Sequence, residues 1–312
     1  MMQASANLAA SVAWCGFALG CVFGAVGHKT HFCAMGAVSD VMSMGDWGRM
    51  RMWLLAIAVA ALGANTLQVL GYVDLSKSIY QTPDFNWLGY VLGGLLFGAG
   101  MTLSSGCGSR TLIRLGGGNL KSLVVFVFLA ISSYMTLKGL FGIWRVSYIQ
   151  PASVVFTSGQ DLPSLFAAAT GLDKKILQIF LTLLITGGLL AFIFANRDFR
   201  HNGEKILGGI IIGLVVAAGW YVTGYMGYAE NPETLEMTFL GTNNHAAESL
   251  TFVAPLAYTL ELLMLWSDSS LHVSFGVAAV LGVIAGSFAY ALASRNFRVE
   301  SFRDGQDTAN HM

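Results

Sequence analysis

Cys107 stands between two glycines in the run SSGCGSR, Ser104 to Arg110. Gly106 and Gly108 have no Cβ, so this backbone is free to take left-handed conformations and turn N–H groups toward a ligand. Ser104, Ser105 and Ser109 add hydroxyl donors, Arg110 adds a fixed positive charge, and Cys107 adds a soft, polarisable thiol. Together these groups suit an anion. A plainer reading stays open beside it: a helix terminus built of small packing residues around a buried structural cysteine. A second stretch of the same kind is GHKTHFCAMGAVSD, Gly27 to Asp40. Here His28, Lys29 and His31 supply donors and cationic character just before Cys33. The alternative is a set of membrane-interface residues beside an ordinary helix start.

Other chemistries find little support. Neither stretch has a CxxC or paired-histidine spacing, so no metal is expected, and no nucleotide or other cofactor motif accompanies them. Ser105 lacks a G-x-S-x-G context, the histidines are scattered and the acids lie mostly in loops. No catalytic constellation emerges, and the chain reads as one that passes something rather than converts it. Cys15 and Cys21 lie on a long apolar segment and read as core residues. With no cysteine in a long polar loop, all four are expected to be free thiols.

The elements that must hold these groups are membrane helices. Of 312 residues, 55% are hydrophobic and 11% charged, with a mean hydropathy of +0.63, against about 25% charged in ordinary soluble domains. Apolar windows of roughly 20 residues, enough to cross ~30 Å of hydrocarbon, recur from end to end. The candidates are Leu8 to Gly27, Met52 to Val73, Trp87 to Leu103, Leu120 to Trp144, Ile176 to Ala195, Ile206 to Tyr225 and His272 to Ala293. The first has no basic region before it and no convincing cleavage site after it, and reads as retained. Phe32 to Met44 and Leu250 to Trp266 are short or interrupted and read as re-entrant half-helices. Irregular backbone at membrane depth is tolerated where it lines a route. The stretch from Gly98 to Lys121 reads as a flexible loop at the end of a helix.

Basic residues gather at Arg49/Arg51, Arg110/Arg114/Lys121, Arg197/Arg200/Lys205 and Arg295/Arg298/Arg303, whereas Ala229 to Glu248 has four glutamates and no Lys or Arg. The positive-inside rule places the basic groups in the cytoplasm and the acidic loop, including Glu233, outside. A formal charge of zero gives no sign of a nucleic-acid partner. ANRDFR at Ala195 to Arg200 returns as ASRNFR at Ala293 to Arg298, each after a long apolar segment. Small-residue stretches at Phe32 to Asp40 and Thr251 to Thr259 form a second echo, and together they suggest a duplicated unit.

Four stretches resemble the YeeE/YedE family of bacterial inner-membrane proteins: HFCAMGAVSDVMSMGDWGR (His31 to Arg49), GCGSRTLIRLGGGNLKSL (Gly106 to Leu123), AAGWYVTG (Ala217 to Gly224) and SLTFVAP (Ser249 to Pro255). The resemblance implies an all-α integral membrane protein of two related halves, 1–146 and 176–312, with re-entrant half-helices and an incomplete second half. It implies multi-pass residence in a bacterial inner membrane and uptake of thiosulfate or a similar small sulfur anion, handed between thiols through S–H to sulfur hydrogen bonds. Cys33 and Cys107 match two of the family's three pathway cysteines. The segment that would carry the third is missing where the chain stops at FRDGQDTANHM, and the expectation is a truncated second half. Two alternatives accompany uptake: a membrane relay serving a cytosolic sulfurtransferase or sulfur-carrier protein, and a less selective anion channel.

Overall fold

The computed structural model describes residues 2–104, 106–156, 159–231, 235–268 and 271–300. Their helices are α1 (Met2–Thr30), α2 (Ala34–Met44), α3 (Gly48–Val69), α4 (Trp87–Leu103), α5 (Gly108–Gly116), α6 (Leu120–Leu137), α7 (Leu140–Trp144), α8 (Leu162–Thr170), α9 (Lys174–Phe194), α10 (Arg197–Arg200), α11 (Gly203–Tyr221), α12 (Ala254–Met264) and α13 (Phe275–Ala293). Two small antiparallel pairs, β1 (Asp84–Phe85) with β2 (Val154–Val155) and β3 (Tyr228–Glu230) with β4 (Met237–Phe239), tie connections together. Seven helical stretches are long and apolar enough to cross a membrane. The chain is an all-α, multi-pass membrane protein.

Three expectations change. The flexible loop from Gly98 to Lys121 is mostly helix: α4 runs to Leu103 and α5 begins at Gly108, with Cys107 as its N-cap. A leucine and isoleucine face on α5, with Leu112 and Ile113 buried, supplies the packing that a glycine-rich reading misses. Leu120 to Trp144 divides into α6 and α7 at Lys138 and Gly139. Finally, α1 extends to Thr30, its last turn carrying His28 and Lys29, the charge type favoured at a helix C-terminus.

The core is a pair of helices running in the same direction, α1 and α13. A Cβ placed on Gly16 would lie 2.7 Å from the Phe275 carbonyl oxygen, and Gly20 and Gly24 press in the same way on Ala279 and Val283. Gly282 and Gly286 answer from α13 against Phe17 and Cys21. Small residues let helix backbones meet closely where lipid gives no hydrophobic drive. Around this seam, α3 packs on α11 and α9, α6 on α12, and α5 wedges against α13 and α6.

Helix direction sorts the charges. Arg49, Arg51, Arg110, Arg114, Lys205 and Arg298 line cavities at one end. At the other end Lys138 pairs with Glu261, and the β3–β4 hairpin holds Lys77 through the Tyr228 hydroxyl.

Candidate functional site

Past Thr30 the chain reverses at His31, which sits at φ +52°, and returns far enough for the Phe32 and Phe23 rings to meet edge to face at 6.1 Å. Cys33 then caps α2, its sulfur accepting from the Gly36 N–H at 3.3 Å. Thus α2 starts inside the bundle and runs back to the basic end. The α5 helix does the same from Cys107. α12 begins at the same depth, since a Cβ on Gly108 would lie 3.5 Å from Val253 and 3.6 Å from Phe252, but it runs to the opposite end, where Glu261 meets Lys138. Three half-helix N-termini, each with partial positive charge, therefore converge near the two cysteines.

The two thiols, 74 residues apart in sequence, come within interaction range of each other and of Arg110. Cys33 is 2% exposed. Ser109 Oγ lies 3.2 Å from the Cys107 sulfur. One turn along α2, Gly36 leaves room for two guanidinium groups: a Cβ there would lie 2.7 Å from Arg49 Nη1 and 3.1 Å from Arg110 Nη1. Asp40, buried on α2, fixes Arg49 through a two-pronged ion pair. Arg110 has no ion-pair partner among the described residues, so its charge faces the thiols.

Below this lies a cavity of about 650 Å³, open at the basic end. Its polar lining includes His28, His31, Cys33, Arg49, Arg110, Arg114, Lys205 and Arg298, with Asp40, Asp46 and Glu300. Basic side chains thus outnumber acidic ones around a space that ends at a thiol. Arg49, Asp40, Lys205 and Arg298 are absent from the sequence-based candidates. The charge clusters pointed to their end of the protein, and an aspartate within an apolar half-helix was a further signal.

Other expected site residues take humbler places. Ser104 caps α4, its hydroxyl donating to the Gly100 and Gly106 carbonyls. Gly106 and Gly108 do not adopt left-handed backbone, and the Gly106 N–H donates to Met101 O at 3.0 Å. Their value is close approach, since a Cβ on Gly106 would lie 3.1 Å from Arg110 Cδ. Ser105 and Glu233 lie outside the described residues. His31 is exposed at the cavity rim, whereas His28 is tied down. Ser287 Oγ donates to Ile113 O at 2.6 Å, so the His28 Nδ1 at 2.9 Å must be the donor to that hydroxyl. Cys21 lies on the α1–α13 seam and Cys15 packs beside Val12 and Phe275, both cysteines half-buried. The described residues hold no cluster of three or more His, Cys, Asp or Glu placed for a metal.

Comparison with known proteins gives this arrangement its context. A family profile described as sulphur transport matches residues 29–312. A thiosulfate transporter, TsuA, of Escherichia coli K12 is 25% identical over 306 residues, covering 94% of this chain and 78% of the relative. The TsuA of Spirochaeta thermophila is 27% identical over 224 residues, 69% of this chain and 64% of the relative. With nearly its whole length matched, and with paired thiols and a basic cavity rather than a catalytic centre at its heart, this chain belongs to the sulphur-transport (YeeE/YedE) family of membrane transporters.

Proposed function

We propose that this protein carries thiosulfate, or a closely related sulfur anion, inward across a bacterial inner membrane, with Cys33 and Cys107 lining the route. The observation that carries the reading is the two thiols brought together beside Arg110, at the meeting of three half-helix N-termini. A dianion needs positive potential where water is scarce, and Arg110 with the helix ends supplies it. The terminal sulfur of thiosulfate is soft and accepts weak S–H hydrogen bonds. Adjacent thiols let it exchange one such bond for the next without full rehydration. Sulfate has the same charge and no terminal sulfur, so it gains only the cationic part of the interaction.

The basic end faces the cytoplasm in this reading, as the bias of Lys and Arg requires. The opposite directions of α2 and α12 support two related halves, 1–146 and 176–312. The ANRDFR and ASRNFR copies both lie within 176–312 and both follow helices running to the basic end, so they do not relate the two halves to each other.

Uptake of labelled thiosulfate by cells lacking other sulfur importers tests the function. Uptake is expected, with a large excess of sulfate competing poorly. Equal competition by sulfate would point instead to a cationic channel. Orientation is tested by cysteines placed at Glu230 and Arg197 in a protein otherwise free of reactive thiols, with the first expected to label only from outside.

The basic mouth of the cavity favours one alternative. Arg114, Lys205 and Arg298 offer a docking face for an acidic sulfurtransferase or sulfur carrier that would collect sulfur from the same thiols. Sealed vesicles without cytosolic protein separate the two, because a transporter fills them unaided.

A further inference from the structure

Resting on the reading of thiosulfate uptake, we propose that Glu248 is a proton-binding site coupled to anion transport, so that inward movement of the dianion is accompanied by a proton taken from the outer side. A dianion entering a cell whose interior is negative is opposed at equilibrium by a factor on the order of 10³ per 100 mV. One accompanying proton halves the charge moved and lowers that factor to roughly 50. A proton site on the outer side of the thiol pair is therefore the device the task needs.

Glu248 has the required place and surroundings. It lies in the connection between α11 and α12, at the end opposite the basic cavity, and is 9% exposed. Four residues later Phe252 touches Phe23, with ring centroids 4.9 Å apart, and comes beside Gly108 next to the Cys107 cap. A short irregular segment thus joins the carboxyl to the thiol site.

Its backbone is clamped: the Thr223 hydroxyl donates to the Glu248 carbonyl, and the Glu248 N–H reaches the same hydroxyl at 3.3 Å. Its carboxyl has no hydrogen-bond or ion-pair partner among the described residues. The titratable groups facing it are two phenols, Tyr80 from the connection after α3 and Tyr258 from α12. From α13 comes only the first turn, where the carboxyl oxygen would lie 3.8 Å from a Cβ on Gly276. A buried carboxylate with no cation beside it is costly, and burial pushes this carboxyl up to about 7. It therefore changes charge across the ordinary range of external pH. A negative Glu248 opposes a dianion at the thiols through a low-dielectric interior, and by linkage a bound dianion strengthens proton binding.

The test uses the full chain in proteoliposomes loaded with thiosulfate, measuring both exchange of labelled thiosulfate and its accumulation driven by an acidic exterior. The wild type should accumulate label severalfold under the gradient, and its exchange should fall as external pH rises through about 7. Glu248→Gln, which mimics the protonated form, should lose accumulation about tenfold or more, and its exchange should lose its pH dependence. Glu248→Asp should keep a pH-dependent rate. Accumulation by the wild type that ignores the gradient, or gradient-driven accumulation that survives in Glu248→Gln, would overturn the coupling while leaving thiosulfate transport intact. A wild type that exchanges no thiosulfate at all would remove the proposed function, and the coupling with it. If Glu248→Gln does not fold, the pH profile of the wild type and Glu248→Asp still decides, because a flat profile in both sinks the proposal.

Discussion

α13 and α4 are both apolar, glycine-rich and close to the same length, yet they use their glycines in opposite ways. In α13, Gly282 and Gly286 press against the backbone of α1, and eleven residues of the helix are buried. In α4, Gly93, Gly94, Gly98 and Gly100 face open space and none of the helix is buried. Composition is common to both, and the partner makes the difference. Gly16, Gly20 and Gly24 recur every four residues on α1, so they fall on one stripe that meets the opposing carbonyls. On α4 the glycines find no such counterpart among the described residues, and the helix mainly touches the turns at 145–152.

The largest effect should come from testing that contrast directly. Gly286→Leu puts a branched side chain onto the Cys21 backbone, which cannot move without separating α1 from α13. Overpacking ordinarily costs about 1–3 kcal/mol, and more where backbone is the obstacle. The expected outcome is loss of the monodisperse peak in detergent. Gly94→Leu should leave the thermal midpoint close to wild type and add helix propensity worth about 1 kcal/mol. If both variants fold equally well, the seam is not what holds the bundle.

The next contrast is between cysteines. Cys107→Ala removes a thiol from the candidate route and should reduce uptake by about 100-fold, the equivalent of nearly 3 kcal/mol, with little change in stability. Serine should restore little, being harder and less polarisable. Cys21→Ala sits on the seam and should leave uptake within about twofold while lowering stability by roughly 1 kcal/mol. A Cys107→Ala protein with normal uptake would dissociate the thiol pair from transport.

A smaller effect is expected at Ser287, whose hydroxyl joins α5 to α13 and holds His28. Ser287→Ala removes one of the two hydrogen bonds that the Ile113 carbonyl accepts, leaving that from the Gly117 N–H, and frees the imidazole. The cost should be about 1 kcal/mol in thermal unfolding. Little change would show that water replaces the hydroxyl easily, and that α5 is held by its apolar face alone.

Long helices were legible because their signal is local. Trp87 to Leu103 was bounded correctly from hydropathy, and the short stretches at Phe32 and Leu250 were recognisable as half-helices. What escaped was α5, because SSGCGSR resembles a loop until Leu112 and Ile113 find a partner in the core. The meeting of Cys33 with Cys107 was equally out of reach from spacing, since it depends on how α2 and α5 turn inward. Glu248 was visible only as one of several glutamates in an acidic connection. Its burial is a property of the helices around it. Thus hydropathy disclosed which segments enter the membrane, and tertiary packing decided which polar groups they enclose.

The smallest expected effect returns to the loosely packed side. Asp161 caps α8, with its carboxylate accepting from the Ser164 N–H at 3.2 Å and from the Ser164 hydroxyl at 2.6 Å, and it pairs with Lys174 at 3.3 Å. Burial pushes this carboxyl up, but the Ser164 hydrogen bonds and the Lys174 charge outweigh it and hold Asp161 below the usual carboxylate value. A depressed value means that the folded state favours the charged form. The contribution is therefore present above the unfolded value and is lost as pH falls through the folded one. Asp161→Ala should cost about 1 kcal/mol, read as faster amide exchange in 162–170 rather than as a lower global midpoint. Acidification below pH 3.8 should have the same local effect in the wild type. At the α1–α13 seam, α13 is capped by the Ser274 hydroxyl, which does not titrate in this range, so the seam should exchange as slowly as before. If exchange in α8 and the seam accelerates together, the two regions unfold as one unit, and their difference in packing does not amount to a difference in local stability.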